Sequence, residues 1–119
     1  MCGFAGELRL DGSSHSETIA NELARMLEVL APRGPDDVGV WQDAQVSLGH
    51  RRLSILDLSA LAHQPFVDDT TGCVLVFNGT LYNYRELRSE LQAHGHVFRS
   101  SGDTEVLLRA WLQWGRQAP

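Results

Sequence analysis

Cys2 directly follows Met1, and a cysteine is small enough to permit removal of a preceding Met. Thiol and free α-amine would then share one residue. Their ordinary pKa values, about 8.5 and about 7.7–8.0, lie close enough for proton transfer between them to be nearly balanced. Such an amine can act as base for its own side chain. Taken alone, a lone cysteine is more often inert. Other reactive residue types also have plain structural readings. Asn78-Gly79 is the strongest short hairpin signal, Asp103 suits a helix N-cap, and Arg51 and Arg52 suit a strand surface. Cys73 sits in an apolar run and reads as a buried core thiol. His15, His50, His63, His94 and His96 show no spacing for a closed zinc site. The two cysteines make no metal motif, and a reducing compartment argues against their pairing. Trp41, Trp111 and Trp114 read as core. All 10 basic residues are Arg, which excludes a Lys nucleophile, a Schiff base and a P-loop Lys in this segment.

Context changes the weight of these residues. Met1-Cys2-Gly3-Phe4-Ala5-Gly6 is followed by Arg33-Gly34-Pro35-Asp36, by Gly49-His50-Arg51-Arg52-Leu53-Ser54-Ile55 and by Gln64-Pro65. Phe77-Asn78-Gly79-Thr80-Leu81-Tyr82-Asn83-Tyr84 and Gly102-Asp103-Thr104-Glu105 come after. The series resembles the N-terminal domain of glutamine-hydrolysing asparagine synthetases, a branch of the class II (N-terminal nucleophile) glutamine amidotransferases. The resemblance covers essentially the whole chain, in order. Within that family, Ala31-Pro32-Arg33-Gly34-Pro35-Asp36 and the Asn78 to Tyr84 stretch most resemble the branch that amidates N-acetylglutaminylglutamine.

The resemblance implies roles. Cys2 attacks the glutamine side-chain amide, becomes a γ-glutamyl thioester and releases ammonia. The Asn78 side chain and the Gly79 amide form an oxyanion hole, where fixed donors meet developing negative charge. Arg52 grips the substrate carboxylate with its planar fork, and Asp103 receives the substrate ammonium. Arg33, in the Arg-Gly-Pro-Asp turn, is structural or supports the site from behind. Ammonia passes to a C-terminal ATP-dependent synthetase domain, which with glutamine is the expected partner. Its Ser-Gly-Gly-rich pyrophosphate loop is absent here, so ATP and Mg belong to that domain and no cofactor is expected in this segment. The family pattern has Glu after Asn-Gly, where this chain has Thr80. That Glu also binds the ammonium, so Thr80 removes one charge from the expected pocket.

The elements that must position these residues follow from pattern. Phe4 to Leu10 predicts a strand ended by Asp11-Gly12. Ser14 and Glu17 fit a capping box ahead of a helix with Ile19, Leu23, Met26, Leu27 and Leu30 at helical spacing. Pro32 and Pro35 stop it. Val38 to Trp41 and Val46 to Ile55 predict strands joined at Asp43-Ala44. Cys73 to Phe77, the most apolar run, predicts a central strand that delivers Asn78-Gly79. Tyr84, Leu87 and Leu91 stripe a second helix ending at Gly95. Asp103 caps a third, with Val106, Leu107, Ala110, Trp111 and Trp114 inward. This order predicts α+β with an antiparallel sheet, and the resemblance implies an αββα N-terminal-nucleophile sandwich. Five short strands and three helices do not close two layers. The 119 residues are therefore expected to be one amidotransferase domain in its N-terminal part only, truncated at the C-terminus.

Hydrophobic residues at 43%, charged residues at 21% and a net charge of −5 fit a globular chain and give no basic patch for nucleic acid or anionic membrane. No apolar run approaches the roughly 20 residues that span a bilayer, and the start lacks a signal peptide's pattern. The cytoplasm is the expected location. A homodimer stays open, as do two rival functions: a non-catalytic truncated copy of the domain, or an N-terminal-nucleophile hydrolase of another amide.

Overall fold

A computed structural model describes residues 1–11 and 17–118. Gly12, Ser14 and His15 lie outside the described residues, as do the side chains of Glu17 and Ile19, so the expected capping box does too. Strands β2 (Asp37–Gln42) and β3 (Val46–Arg52) form a hairpin, and β1 (Gly3–Leu8) lies on the other side of β3, all antiparallel. The hairpin closes on Asp43, whose Oδ1 accepts from the amides of Gln45 at 2.8 Å and Val46 at 2.7 Å. Asp is favoured there because its side chain imitates a backbone turn. β1 stops at Leu8, short of the expected Leu10. β3 stops at Arg52, short of Ile55, because the next amides bond elsewhere: Leu53 to Cys2 Sγ and Ser54 to Asp36.

Helix α1 (Glu17–Leu30) packs on one face of this sheet. Leu23 and Leu27 are buried, each burial worth about 1.5–3 kcal/mol. Leu27 fills the space over Gly49, where a Cβ would approach it to 2.7 Å. Met26 is 43% exposed, against expectation, because it falls at the edge of the arc centred by Leu23, Leu27 and Leu30. Arg51 is half-buried rather than superficial and donates Nε to Leu27 O at 2.9 Å.

The apolar run at Cys73 to Phe77 departs most from expectation. Only Val74–Leu75 (β5) is strand, paired antiparallel with Phe66–Val67 (β4). It is one strand of a pair, not a central strand, and its residues are half-buried. Cys73 is accordingly no core thiol. It lines an open apolar groove with Leu75, Leu107, Leu108 and Trp111.

Helices α2 (Tyr84–Ala93) and α3 (Asp103–Trp114) pack on each other around Leu91, Val106 and Ala110. Leu81, Tyr84, Leu87, Phe98 and Trp114 close the cluster. α2 ends as predicted at Gly95, which has φ of 92°. The amide of Gly95 bonds Gln92 O and that of His96 bonds Leu91 O, both at 3.0 Å. This is the Schellman pattern, which needs a left-handed residue and so favours glycine. On α3, Trp111 is 53% exposed and Leu107 only half-buried. The stripe packed on α2 is Val106 and Ala110 with Trp114 at its end, while Leu108 is buried on another side of the helix, beside the groove that Cys73 lines. Trp41 is likewise half-buried. Among the described residues no helix is long and apolar enough to cross a membrane.

Candidate active site

Antiparallel pairing puts Gly3 opposite Arg51, so Cys2 and the Arg52-Leu53 step reach the same end of the sheet. The Leu53 amide donates to Cys2 Sγ at 3.2 Å, and Sγ lies 3.6 Å from Leu53 O. The turn of residues 33–36 braces this corner. Arg33 Nε donates to Cys2 O at 3.1 Å. The Asp36 amide donates to Arg52 O at 3.0 Å, and its Oδ2 accepts from the Ser54 amide at 2.7 Å. Gly34 is required by the close approach: a Cβ there would lie 2.4 Å from the Arg51 carbonyl. Arg33 is thus a brace on the Cys2 backbone, as expected.

Arg52 is 8% exposed and holds the loop that follows it. Nη1 donates to Ser59 O at 3.1 Å and Nη2 to Asp57 O. The Asp57 carboxylate then ties this loop to the turn ahead of α3. Oδ1 accepts from the Ser59 amide at 2.8 Å and Ser59 Oγ at 2.6 Å, and Oδ2 accepts from the Ser101 amide at 2.7 Å. Burial alone would raise the Asp57 pKa, but these hydrogen bonds from Ser59 and Ser101 outweigh it and hold the carboxyl well below the usual range. Glu105, fully buried, accepts from the amides of Arg99 and Ser100 and from Ser100 Oγ, which shapes the same turn.

Asp103 is not the N-cap of α3; Gly102 holds that position and no side chain caps it. The carboxylate is drawn away instead: its Oδ2 accepts from the Leu81 amide at 2.9 Å. It thereby fixes the far end of the Asn78 loop. The near end is held at Phe77, whose amide donates to Gln64 Oε1 at 2.7 Å and whose carbonyl lies 3.2 Å from His50 Nε2. Neither Asn78 nor Gly79 has positive φ, so the hairpin reading of this dipeptide falls, since its favoured turn needs φ above zero at both central residues. The chain runs on through a turn into α2. Burial lowers the pKa of His50, the Phe77 bond opposing and Arg52 reinforcing that shift.

Cys2, Arg52, Gly79 and Asp103 line one cleft of about 190 Å³, with Asp57, Gln64 and Thr80. Asn78 is half-buried beside it and does not line it, although Phe77 and Gly79 do. Four of the five residues singled out therefore converge. Among the described residues no group of three or more His, Cys, Asp or Glu could hold a metal. Asp57 was missed by the sequence reading. An Asp two residues before Ser59 signals a side-chain turn, but its bond to Ser101 spans 44 residues and has no local signature.

Comparison with known proteins places the chain in a family. A family model described as a glutamine amidotransferase domain matches residues 1–118. Asparagine synthetase [glutamine-hydrolyzing] 3 of Bacillus subtilis (strain 168) is 38% identical over 116 residues, covering 96% of this chain and 18% of that protein. A putative asparagine synthetase [glutamine-hydrolyzing] of Mycobacterium bovis is 41% identical over 108 residues, covering 82% of this chain and 16% of its own length. Amidase chry2 of Gibberella zeae is 36% identical over 124 residues, covering 97% and 18%. The chain spans less than a fifth of the length of these relatives. It belongs to the glutamine amidotransferase domain family, in the class II, asparagine-synthetase branch of those enzymes.

Proposed function

We propose that this chain is the glutamine-hydrolysing part of an asparagine-synthetase-like amidotransferase and releases ammonia through a Cys2 thioester. The observation that carries the reading is the meeting of Cys2 with Arg52, Gly79 and Asp103 in one cleft, its sulfur held by the Leu53 amide. Met1 is 76% exposed, so the bond to be cut is accessible. Once it is cut, the Cys2 amine takes the thiol proton and the thiolate attacks the glutamine side-chain carbonyl carbon. A C–S bond forms, and the carbonyl oxygen becomes an oxyanion that accepts from the Gly79 amide and the Asn78 side chain. The amine returns its proton to the leaving nitrogen, the C–N bond breaks and ammonia departs. Water then attacks the thioester with the same amine as base, yielding glutamate and free Cys2.

Specificity comes from two fixed charges. Arg52 spends two donors on the carbonyls of Asp57 and Ser59, which locks its rotamer and aims the remaining N–H groups at the substrate α-carboxylate. Asp103 commits Oδ2 to Leu81 and offers Oδ1 to the ammonium. The three-stranded sheet with α1, and the β4–β5 pair with α2 and α3, are parts of the family's αββα sandwich. The amidated acceptor, ATP and Mg belong to a C-terminal synthetase domain, a reading supported by how little of its relatives' length this chain spans.

Cys2→Ala, made in the natural-length protein, tests the assignment. Glutamine-dependent synthesis should vanish while ammonia-dependent synthesis persists. Residual glutamine hydrolysis by the variant would remove Cys2 from the mechanism.

A further inference from the structure

The loop that carries Asn78 and Gly79 has no ladder of its own. β5 ends at Leu75, and Phe77, Asn78, Gly79 and Thr80 make no backbone–backbone hydrogen bond among the described residues. What stands in place of a ladder is a pair of buried side chains that take both polar groups of Phe77. His50, on β3 and fully buried, meets the Phe77 carbonyl; Gln64, 6% exposed, accepts from the Phe77 amide. We propose that His50 and Gln64 are positioning residues that clamp the Phe77 peptide groups and so aim the Asn78 side chain and the Gly79 amide. The inference rests on the oxyanion reading of those two residues.

The chemistry at each side chain is definite. A carbonyl can only accept, so the proton of His50 sits on Nε2 and Nδ1 is left an acceptor. Nδ1 is buried and has no hydrogen-bond partner. An apolar side chain at this site in the middle of the sheet would leave no unpartnered ring nitrogen; what it would lack is the Nε2–H that holds the Phe77 carbonyl. Gln64 has a similarly fixed orientation. Because the Phe77 amide donates, Oε1 must face it, and Nε2 then faces Thr104 Oγ1 at 3.4 Å on the first turn of α3. The clamp therefore joins β3, the segment ahead of β4 and the helix that carries Asp103. One arrangement of buried side chains registers the oxyanion donors against the residue proposed to hold the substrate ammonium.

The test compares His50→Leu, His50→Gln and Gln64→Met with the parent, all in the natural-length protein with Met1 removed. A Gln amide at position 50 keeps an N–H in reach of Phe77 O, whereas Leu does not. For His50→Leu and Gln64→Met, kcat for glutamine hydrolysis should fall about tenfold or more with KM within about twofold, because misplaced donors weaken the transition state and not the ground state. His50→Gln should recover most of that loss. Without substrate, amide hydrogen exchange of Asn78 and Gly79 should quicken in the two losing variants and not in His50→Gln, with α1 and α2 unchanged. Gln64→Met keeps the test alive if His50→Leu does not fold. Unchanged kcat and unchanged exchange in Gln64→Met and His50→Leu would overturn the clamp, as would failure of His50→Gln to recover either readout. Asn78→Ala separates the two readings: if it leaves kcat intact the oxyanion assignment falls, while the exchange rates still decide whether His50 and Gln64 hold the loop.

Discussion

The cleft has two walls built on different principles. The Cys2 wall is the end of a backbone ladder, where β1 pairs with β3 from Gly3–Arg51 to Leu8–Val46. Its local order comes from many repeated bonds. The Asn78 wall hangs from side chains: Gln64 and His50 at Phe77, Asp103 at Leu81. There a few buried polar groups do what a strand pair does elsewhere. Substitutions on the two walls should therefore differ in kind. On the ladder wall, removing a side chain costs its own contacts and leaves the β1–β3 pairing in place. On the suspended wall, removing one polar group leaves a buried partner unsatisfied, at about 1–3 kcal/mol, and releases the segment.

The largest effect expected is at Asn78. Asn78→Ala should lower kcat by roughly 10²–10³ with a small change in KM, the signature of a donor used in the transition state. Arg52→Lys makes the contrast on the other wall. It should raise KM more than it lowers kcat, because Lys keeps the charge and loses the fork. Steady-state kinetics on both variants check the pair; an effect on KM alone in both would remove Asn78 from the oxyanion hole.

Asp57 joins the walls, so its loss should appear as stability. Asp57→Asn puts an amide group against donors and should cost about 1–3 kcal/mol at neutral pH. Its folded pKa is depressed from 3.8, so the stabilisation is fully present above the ordinary carboxylate range and fades as pH falls below it. Chemical denaturation across pH should show parent and variant converging in acid. A gap that persists at low pH would mean that the charge is immaterial. The smallest effect belongs to Thr80, exposed at the cleft. Thr80→Glu should lower KM for glutamine by about tenfold, the scale of one charge-assisted hydrogen bond, and leave kcat unchanged. A KM that rises or stays put would mean that the pocket is arranged around Thr80, and Asp103 would lose its assignment.

Legibility followed the same division. Local chemistry was readable: Gly95 marks the end of α2, Asp43 closes the β2–β3 turn, and Cys2 stands out through its place in the chain. The ladder wall was readable too, since alternating residues and a hairpin turn specify their own pairing. The suspended wall was not. Cys73 to Phe77 has the composition of an interior strand, yet composition cannot say that one neighbouring strand pairs with two of its residues. Asp103 carries the local signal of a helix cap, and a bond to Leu81, 22 residues away, overrides it. Trp111 stands at helical spacing from Leu107, but the face of α3 that meets Leu91 runs through Val106, Ala110 and Trp114 and leaves Trp111 outside.

The central claim is that Cys2 is the nucleophile and that its own amine activates it. Diazo-oxo-norleucine, an electrophilic glutamine analogue, tests it most directly when applied to natural-length protein whose loss of Met1 has been verified. Cys73 is half-buried as well and serves as an internal control. Mass spectrometry should find the adduct on Cys2 alone, blocked by excess glutamine and absent from protein that retains Met1. An adduct on Cys73, or none on Cys2 once Met1 is gone, would contradict the account.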